Sequence, residues 1–256
     1  MPFLSQLRLR FFLGAYRCKT RAHVLSLVDS TNLRLKEQAR SGSLSAPFLL
    51  MAHAQSAGRG RLGRAFVSPR GTGLYMSLLV RPKPNTPPGK ITLLAAVSVC
   101  KALEEFTSLQ PKIKWVNDIF IRGHKVCGIL AEGIGDQAVV GIGVNIKTPP
   151  GGFPKEAGIA GALDMKVSRE KLCARIAFHF LSGMEQIDDP AILREYRLRM
   201  PLIGREISFS ENGQEKNAHV TGVDEDGALL IETEEGPSSL RCGEVSLGSH
   251  SFLGLE

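Results

Sequence analysis

Gly58-Arg59-Gly60-Arg61-Leu62-Gly63 has the G-x-G-x-x-G spacing of a dinucleotide-binding turn. The flanking residues decide against that fold. A doubly wound nucleotide unit needs a helix directly after the glycines and a ribose-binding acid about twenty residues later. Here Phe66-Val67-Ser68-Pro69-Arg70-Gly71 blocks the helix, and no Asp or Glu follows until Glu104. No GxxxxGK[ST] phosphate loop is present either. What the segment offers is a pliant backbone carrying Arg59, Arg61 and Arg64, whose forked guanidinium groups suit phosphate or carboxylate. Taken alone, it reads first as a mobile loop closing over an anionic ligand and second as an ordinary basic surface turn.

Outward from that loop, residues 38–102 contain no acid but nine bases, Arg40, Arg59, Arg61, Arg64, Arg70, Arg81, Lys83, Lys90 and Lys101. The chain of 256 residues carries 32 bases and 25 acids. Residues 1–22 hold five of those bases and no acid, which leaves the other 234 residues at 27 against 25. A near-neutral body argues weakly against a broad nucleic-acid surface, and an acid-free tract within it suggests a local anion site, with a solvated basic face as the alternative. No apolar run approaches a membrane span. Five dispersed cysteines (18, 100, 127, 173 and 242) lack CxxC or metal-ligand spacing, so reduced thiols in a cytoplasm are expected. The alternation Leu7-Arg8-Leu9-Arg10-Phe11 reads as an edge strand or a loose basic arm.

Apolar patterning predicts strands at Val24–Val28, Phe48–Ala54 and Leu74–Val80. Four more are expected at Lys112–Trp115, Asp118–Arg122, Lys125–Gly133 and Ala138–Ile146. Asp29-Ser30-Thr31-Asn32 supplies cap chemistry for a helix to about Arg40. Further helices are predicted at Ile91–Leu109, along Leu172, Ile176, Phe180, Met184 and Ile187, and over Ala191–Met200. After Pro201 come short strands at Glu206–Phe209, His219–Val223, Leu229–Glu232 and Ser239–Cys242, the spacing of a small barrel. The expected architecture is α+β with a small β domain at the C-terminus.

Two more segments are candidates for chemistry; in isolation, a hairpin lysine such as Lys125 is more often just solvated, and Asn117 and Asp118 at a strand start are more often turn formers. Lys114-Trp115-Val116-Asn117-Asp118 precedes Gly123-His124-Lys125-Val126-Cys127-Gly128-Ile129-Leu130, and a tight turn at Gly123 would set Lys125 near the start of a returning strand. Gly141-Ile142-Gly143-Val144-Asn145 places two glycines in an apolar strand, which is either a bulge or a close approach.

In order, these segments resemble the biotin–protein ligase (biotin–[acetyl-CoA-carboxylase] ligase) family. The matching residues are Asp29–Asn32, Gln55, Gly58–Arg64, Ser68-Pro69, Gly73-Leu74-Tyr75, Ser77, Lys114-Trp115, Asn117-Asp118, Lys125, Gly128–Leu130, Glu132 and Gly141–Asn145. Gly227–Leu230 and Gly243–Leu247 resemble the family's small C-terminal domain. The resemblance implies a catalytic domain related to class II aminoacyl-tRNA synthetases over 23–200 and an SH3-like barrel over 201–256, preceded by the basic arm 1–22. It implies biotin, ATP and Mg²⁺, a biotinyl-5′-AMP intermediate, and transfer to a lysine of a biotin carboxyl carrier domain of acetyl-CoA carboxylase or another biotin-dependent carboxylase.

The roles it implies are catalysis by Lys125, Arg59, Arg61 and Asp118, with Asp118 also the position for Mg²⁺. Biotin falls to Ser30, Thr31, Gln55, Gly58, Arg59, Lys125 and Gly128; the nucleotide falls to Arg61, Phe66, Asn117, Gly141, Gly143 and Asn145. Two positions depart from the family pattern: Phe66 stands where Trp is common, and Val116 where Pro is common. Only 23 residues precede Val24, fewer than the helix-turn-helix of repressor relatives needs, so the monofunctional type is expected, without DNA or membrane partners and as monomer or homodimer. The competing readings are an inactive biotin- or carrier-binding protein and a lipoate or octanoyl ligase on a related fold.

Overall fold

The computed structural model describes residues 6–246 except 212, 242 and 244. Cys242, Glu244, Leu247 and the first five residues of the arm therefore lie outside the described residues.

A seven-stranded sheet forms the main body, in the order β1-β2-β3-β7-β6-β5-β4. Its strands are β1 (Arg21–Leu25), β2 (Phe48–Ala52), β3 (Gly73–Val80), β4 (Lys112–Lys114), β5 (Asp118–Ile121), β6 (His124–Ile134) and β7 (Gln137–Asn145). β1 and β2 pair in parallel, and the other neighbours are antiparallel. β3 is buried along its whole length because both faces are covered. One face, carrying Leu74, Met76, Leu78 and Val80, packs under α3 (Pro88–Glu104) and α4 (Arg169–Glu185). On the other face α2 (Thr31–Arg40) lays Leu35 against Phe48, Leu50, Leu79 and Val139. Ten residues of helix cover only the upper part of that face, and the cavity described below occupies the rest.

The expected elements are found, with shifted ends. The first strand starts at Arg21 and stops at Leu25, while Val28 forms only an isolated bridge with Gln55. The helix expected over Ile91–Leu109 runs from Pro88 to Glu104, starting on Pro88-Gly89 at its first turn. α5 (Pro190–Leu198) is capped by Asp189, whose side chain accepts from Ala191 N.

The N-terminal segment corrects the expectation. Leu7–Phe11 is not an edge strand or a loose arm but part of α1 (Gln6–Ala15), with Leu9 and Leu13 at 0% and 4% exposure in the main core. Their spacing of four residues makes one helical stripe, and packing on α4 outweighs the five-residue alternation. Gln6 completes the fit: its side-chain amide donates to Ala22 O and accepts from Val24 N, both at 2.7 Å, closing the β1 edge.

A second, five-stranded antiparallel sheet follows, ordered β11-β10-β9-β8-β12. It comprises β8 (Glu206–Glu211), β9 (Gln214–Val223), β10 (Leu229–Thr233), β11 (Gly236–Leu240) and β12 (Val245–Ser246). It docks through the β9–β10 turn: Trp115 Nε1 donates to Gly227 O at 2.9 Å and Arg197 Nε to Val223 O at 3.1 Å. Gly89 allows the approach, since a Cβ there would overlap Asp226 O.

Candidate active site

The Gly/Arg segment folds back on itself. Gln55 N bonds Ser68 O, Phe66 N bonds Gly58 O at 2.8 Å, and Gly60 N bonds Arg64 O at 2.7 Å, with a single helical turn over Arg61–Gly63 at the tip. Gly58, expected at the biotin site, is not among the residues that line the cavity. A side chain there would overlap Phe66 O, so its glycine lets the two arms of the loop meet.

The loop roofs a cavity of about 420 Å³, inside the range of about 300–1,000 Å³ usual for small-molecule sites. Thirteen of the fourteen expected site residues line it: Ser30, Thr31, Gln55, Arg59, Arg61, Phe66, Asn117, Asp118, Lys125, Gly128, Gly141, Gly143 and Asn145.

One half is neutral and hydrogen-bonded. Ser30 caps α2 by accepting from Leu33 N. Gln55 Oε1 accepts from both Thr31 N and Thr31 Oγ1, at 2.9 and 3.1 Å, while its Nε2 donates to Ser68 Oγ. Ser77 Oγ bonds Thr31 Oγ1 and Asn32 Oδ1. Asn32 Nδ2 donates to Leu130 O and Glu132 Oε2, and Lys36 Nζ lies 2.6 Å from Glu132 Oε1. Burial pushes the Glu132 carboxyl up, but the hydrogen bonds from Lys36 and Asn32 outweigh it and hold the group below the usual range.

The other half is charged. Lys125 Nζ pairs with Asp118 Oδ2 at 2.7 Å, and Asp118 Oδ1 is buried without a hydrogen-bond partner. Arg61 Nη1 donates to Asn117 Oδ1 at 2.9 Å; Asn117 Nδ2 in turn donates to Ile129 O.

Of the two readings of the paired glycines, the structure takes close approach over a bulge. No bulge interrupts β7 between β3 and β6. A Cβ on Gly141 would overlap the Asn32 amide, and one on Gly143 would overlap the Phe66 ring, which also borders Gly128. They make room first for the protein's own side chains. Phe66 meets Tyr75 edge-on at 6.5 Å between centroids, and burial pushes the Tyr75 hydroxyl up to about 12. Asn145 Nδ2 donates to Gly161 O, so part of its amide is committed to the outer wall.

That wall, from Phe153, Pro154, Ala157 and Ala160, was missed by sequence reasoning. It is held by Lys125 N to Ile159 O and Gly161 N to Lys125 O. Its only local signal is the strand break at Pro149–Gly152, which says where β7 ends and not where the chain goes next.

Chemically, the cavity joins a neutral donor–acceptor end to a cationic end, under a loop with three arginines. Residues 24–147 match the model of the biotin/lipoate A/B protein ligase family, and residues 202–248 match the biotin protein ligase C terminal domain. The bifunctional ligase/repressor BirA of Bacillus subtilis (strain 168) is 30% identical over 96% of this chain and 79% of its own. The biotin–[acetyl-CoA-carboxylase] ligase of Paracoccus denitrificans is 31% identical over 88% of this chain and 100% of its own. A solved biotin protein ligase from Aquifex aeolicus, in complex with biotin and ATP, superposes with a TM-score of 0.76 at 31% identity, covering 88% of this chain and 97% of that one.

Proposed function

The chain belongs to the biotin protein ligase family, and from that premise we propose that it biotinylates a carrier protein at the expense of ATP. In the first step a biotin carboxylate oxygen attacks the α-phosphorus of ATP. The new P–O bond replaces the bond to the β-phosphate, and pyrophosphate leaves. In the second, the neutral amine of an acceptor lysine attacks the acyl carbon of biotinyl-5′-AMP, the C–O bond to AMP breaks, and the amine gives up a proton. The acceptor is a biotin carboxyl carrier domain of acetyl-CoA carboxylase or another biotin-dependent carboxylase, in the cytoplasm.

The observation that carries this reading is the joining of the two chemistries in one cavity: the Thr31–Gln55 end and the Lys125–Asp118–Arg61 end. The first step brings anion to anion, so charge stabilisation is the main demand. Lys125 bridges the biotin carboxylate and the α-phosphate, with Arg59 and Arg61 on the phosphates. Removing one such contact costs about 3–4 kcal/mol, roughly 10²–10³ in rate. The adenylate is a hydrolysable mixed anhydride, which gives the loop from Gly58 to Arg64 a reason to exclude water. A ureido ring needs neutral donors and acceptors such as Ser30, Thr31 and Gln55 supply, whereas a dithiolane ring offers no polar group to meet them. Phe66 stacks on adenine, with Asn117 and Asn145 nearby.

Among the described residues no cluster of three metal-binding side chains occurs. The orphaned Asp118 Oδ1 fits an ion shared with nucleotide phosphates, the usual manner of Mg²⁺, which would neutralise phosphate charge there. Asp118 also positions the acceptor amine. The reading assigns 23–200 to a class II synthetase-like unit and 201–256 to an SH3-like unit.

Transfer of labelled biotin to a purified carrier domain, with and without ATP, tests the proposal. ATP-dependent, hydroxylamine-resistant label on one lysine supports it. Tight biotin binding without transfer favours an inactive binder, and label only with lipoate or octanoate favours the related ligases.

A further inference from the structure

Three parts of the molecule meet at Arg61. Its backbone forms the loop tip, Nη1 donates to Asn117 Oδ1 at 2.9 Å, and Nη2 donates to Gly243 O at 3.2 Å, on the far side of the chain. The Asn117 acceptor is fixed, because Asn117 and Ile129 exchange a main-chain and a side-chain bond. The Gly243 acceptor lies in the connection between β11 and β12, strands of the sheet that Trp115 and Arg197 anchor to the main body. Its φ of 117° is one that L side chains rarely adopt, so the direction of its carbonyl depends on glycine.

Both acceptors are neutral. They aim the guanidinium without cancelling its charge, and the surrounding stretch 38–102 contributes no acid. A charge held this way is ready for an anion, whose hydrogen bonds to it are stronger than those of a carbonyl. A long, flexible side chain on a loop tip otherwise loses much of that readiness to rotamer freedom.

We infer that Gly243 is a positioning residue: its carbonyl, together with Asn117, holds Arg61 toward the cavity, so that the C-terminal sheet sets the charge of the loop. That the anion is a phosphate of ATP rests on the proposed function; the coupling between the sheet and the loop does not.

The test uses the full chain with Gly243→Ala, and with Gly243→Asn, which tolerates positive φ better and carries the comparison should the alanine variant fail to fold. Limited trypsin cleavage after Arg61, without ligand, reads the hold directly, because a guanidinium engaged by two acceptors is withdrawn from the protease. Cleavage is expected to quicken roughly three- to tenfold in Gly243→Ala, and less in Gly243→Asn. In biotin-dependent pyrophosphate exchange, the KM for ATP is expected to rise about tenfold with a smaller change in kcat. Both Gly243 effects must disappear in an Arg61→Ala background, with loop cleavage then read after Arg64. Unchanged cleavage and KM overturn the inference, as does an equal Gly243 effect without Arg61, which would mean a loosened sheet. Faster cleavage in an enzyme that never adenylates biotin overturns the proposed function and supports the coupling.

Discussion

Lys125 Nζ lies 2.7 Å from Asp118 Oδ2 across the β5–β6 hairpin, while the second oxygen of that carboxylate is buried and unpartnered. The turn at Arg122 and Gly123, both with positive φ, returns the strand so that Lys125 pairs with Phe120 and Asp118 with Gly128. Neither side chain is deeply buried, at 31% and 21% exposure, so the pair contributes little to stability. On the proposed function its use is electrostatic: Asp118 keeps the lysine in place until a stronger set of anions competes for it.

Lys125→Ala is therefore expected to lower pyrophosphate exchange by roughly 10²–10³ while changing stability by less than about 1 kcal/mol. Arg59→Ala should move the same way. Exchange rates and melting curves on the same preparations check both. Full exchange in Lys125→Ala removes this lysine from the reaction.

The two glycines of β7 should differ in what they tolerate. Alanine at 143 meets the Phe66 ring, the free end of a side chain that can swing aside, so it should cost less than about 1.5 kcal/mol and weaken nucleotide binding. Alanine at 141 meets Asn32, whose amide is tied to Ser77, Leu130 and Glu132. Breaking that network leaves buried polar groups unmatched, at about 2–4 kcal/mol. Urea unfolding of both variants tests the order, and Phe66→Leu should relieve Gly143→Ala but not Gly141→Ala.

Acid should erode the Glu132 contribution. Its carboxyl is held below the ordinary value by Lys36 and Asn32, so the ionised form stabilises the fold. That stability is fully present above the unfolded carboxyl pKa, about 4.3, and is lost as pH falls through the lower folded value. Lys36→Met should lower stability by about 1 kcal/mol near pH 7, the partial exposure of the pair limiting the effect. The gap to wild type should close below about pH 4. A gap that does not change with pH shows that Lys36 acts by packing alone.

The first helix gives a sharp contrast between neighbours. Leu9→Ala should destabilise by about 2–5 kcal/mol and Leu7→Ala by less than about 0.5 kcal/mol, since Leu9 is fully buried and Leu7 is 78% exposed. Chemical denaturation of the two variants is sufficient. Equal small effects would restore the loose-arm reading.

Most elements were legible because their signals are local. Ser30 caps α2 as its type and position suggest, the Gly123 turn makes the β5–β6 hairpin, and the apolar runs of β2, β3 and β7 mark a sheet covered on both faces. Of the candidate site, the gathering of thirteen expected residues around one cavity was legible. Their individual contacts were not, because Gln55, Asn32 and Asn145 are engaged by the protein itself.

The sequence by itself determined the order of elements, the absence of a dinucleotide-binding turn after Gly58, and the residue types available for the two halves of the site. These follow from backbone preference and short spacing, which act over a few residues. Only the tertiary structure decided that Leu9 lies on a helix, that Phe66 rests over Gly143, that Glu132 holds Asn32 and Lys36, and that Arg61 reaches Gly243. Those contacts join residues about 80 to 180 positions apart in all but the first case. Their geometry depends on which faces the sheet and helices bury against each other, and five residues alternating Leu or Phe with Arg fit a strand edge and a helix equally well until α4 packs against only one of them.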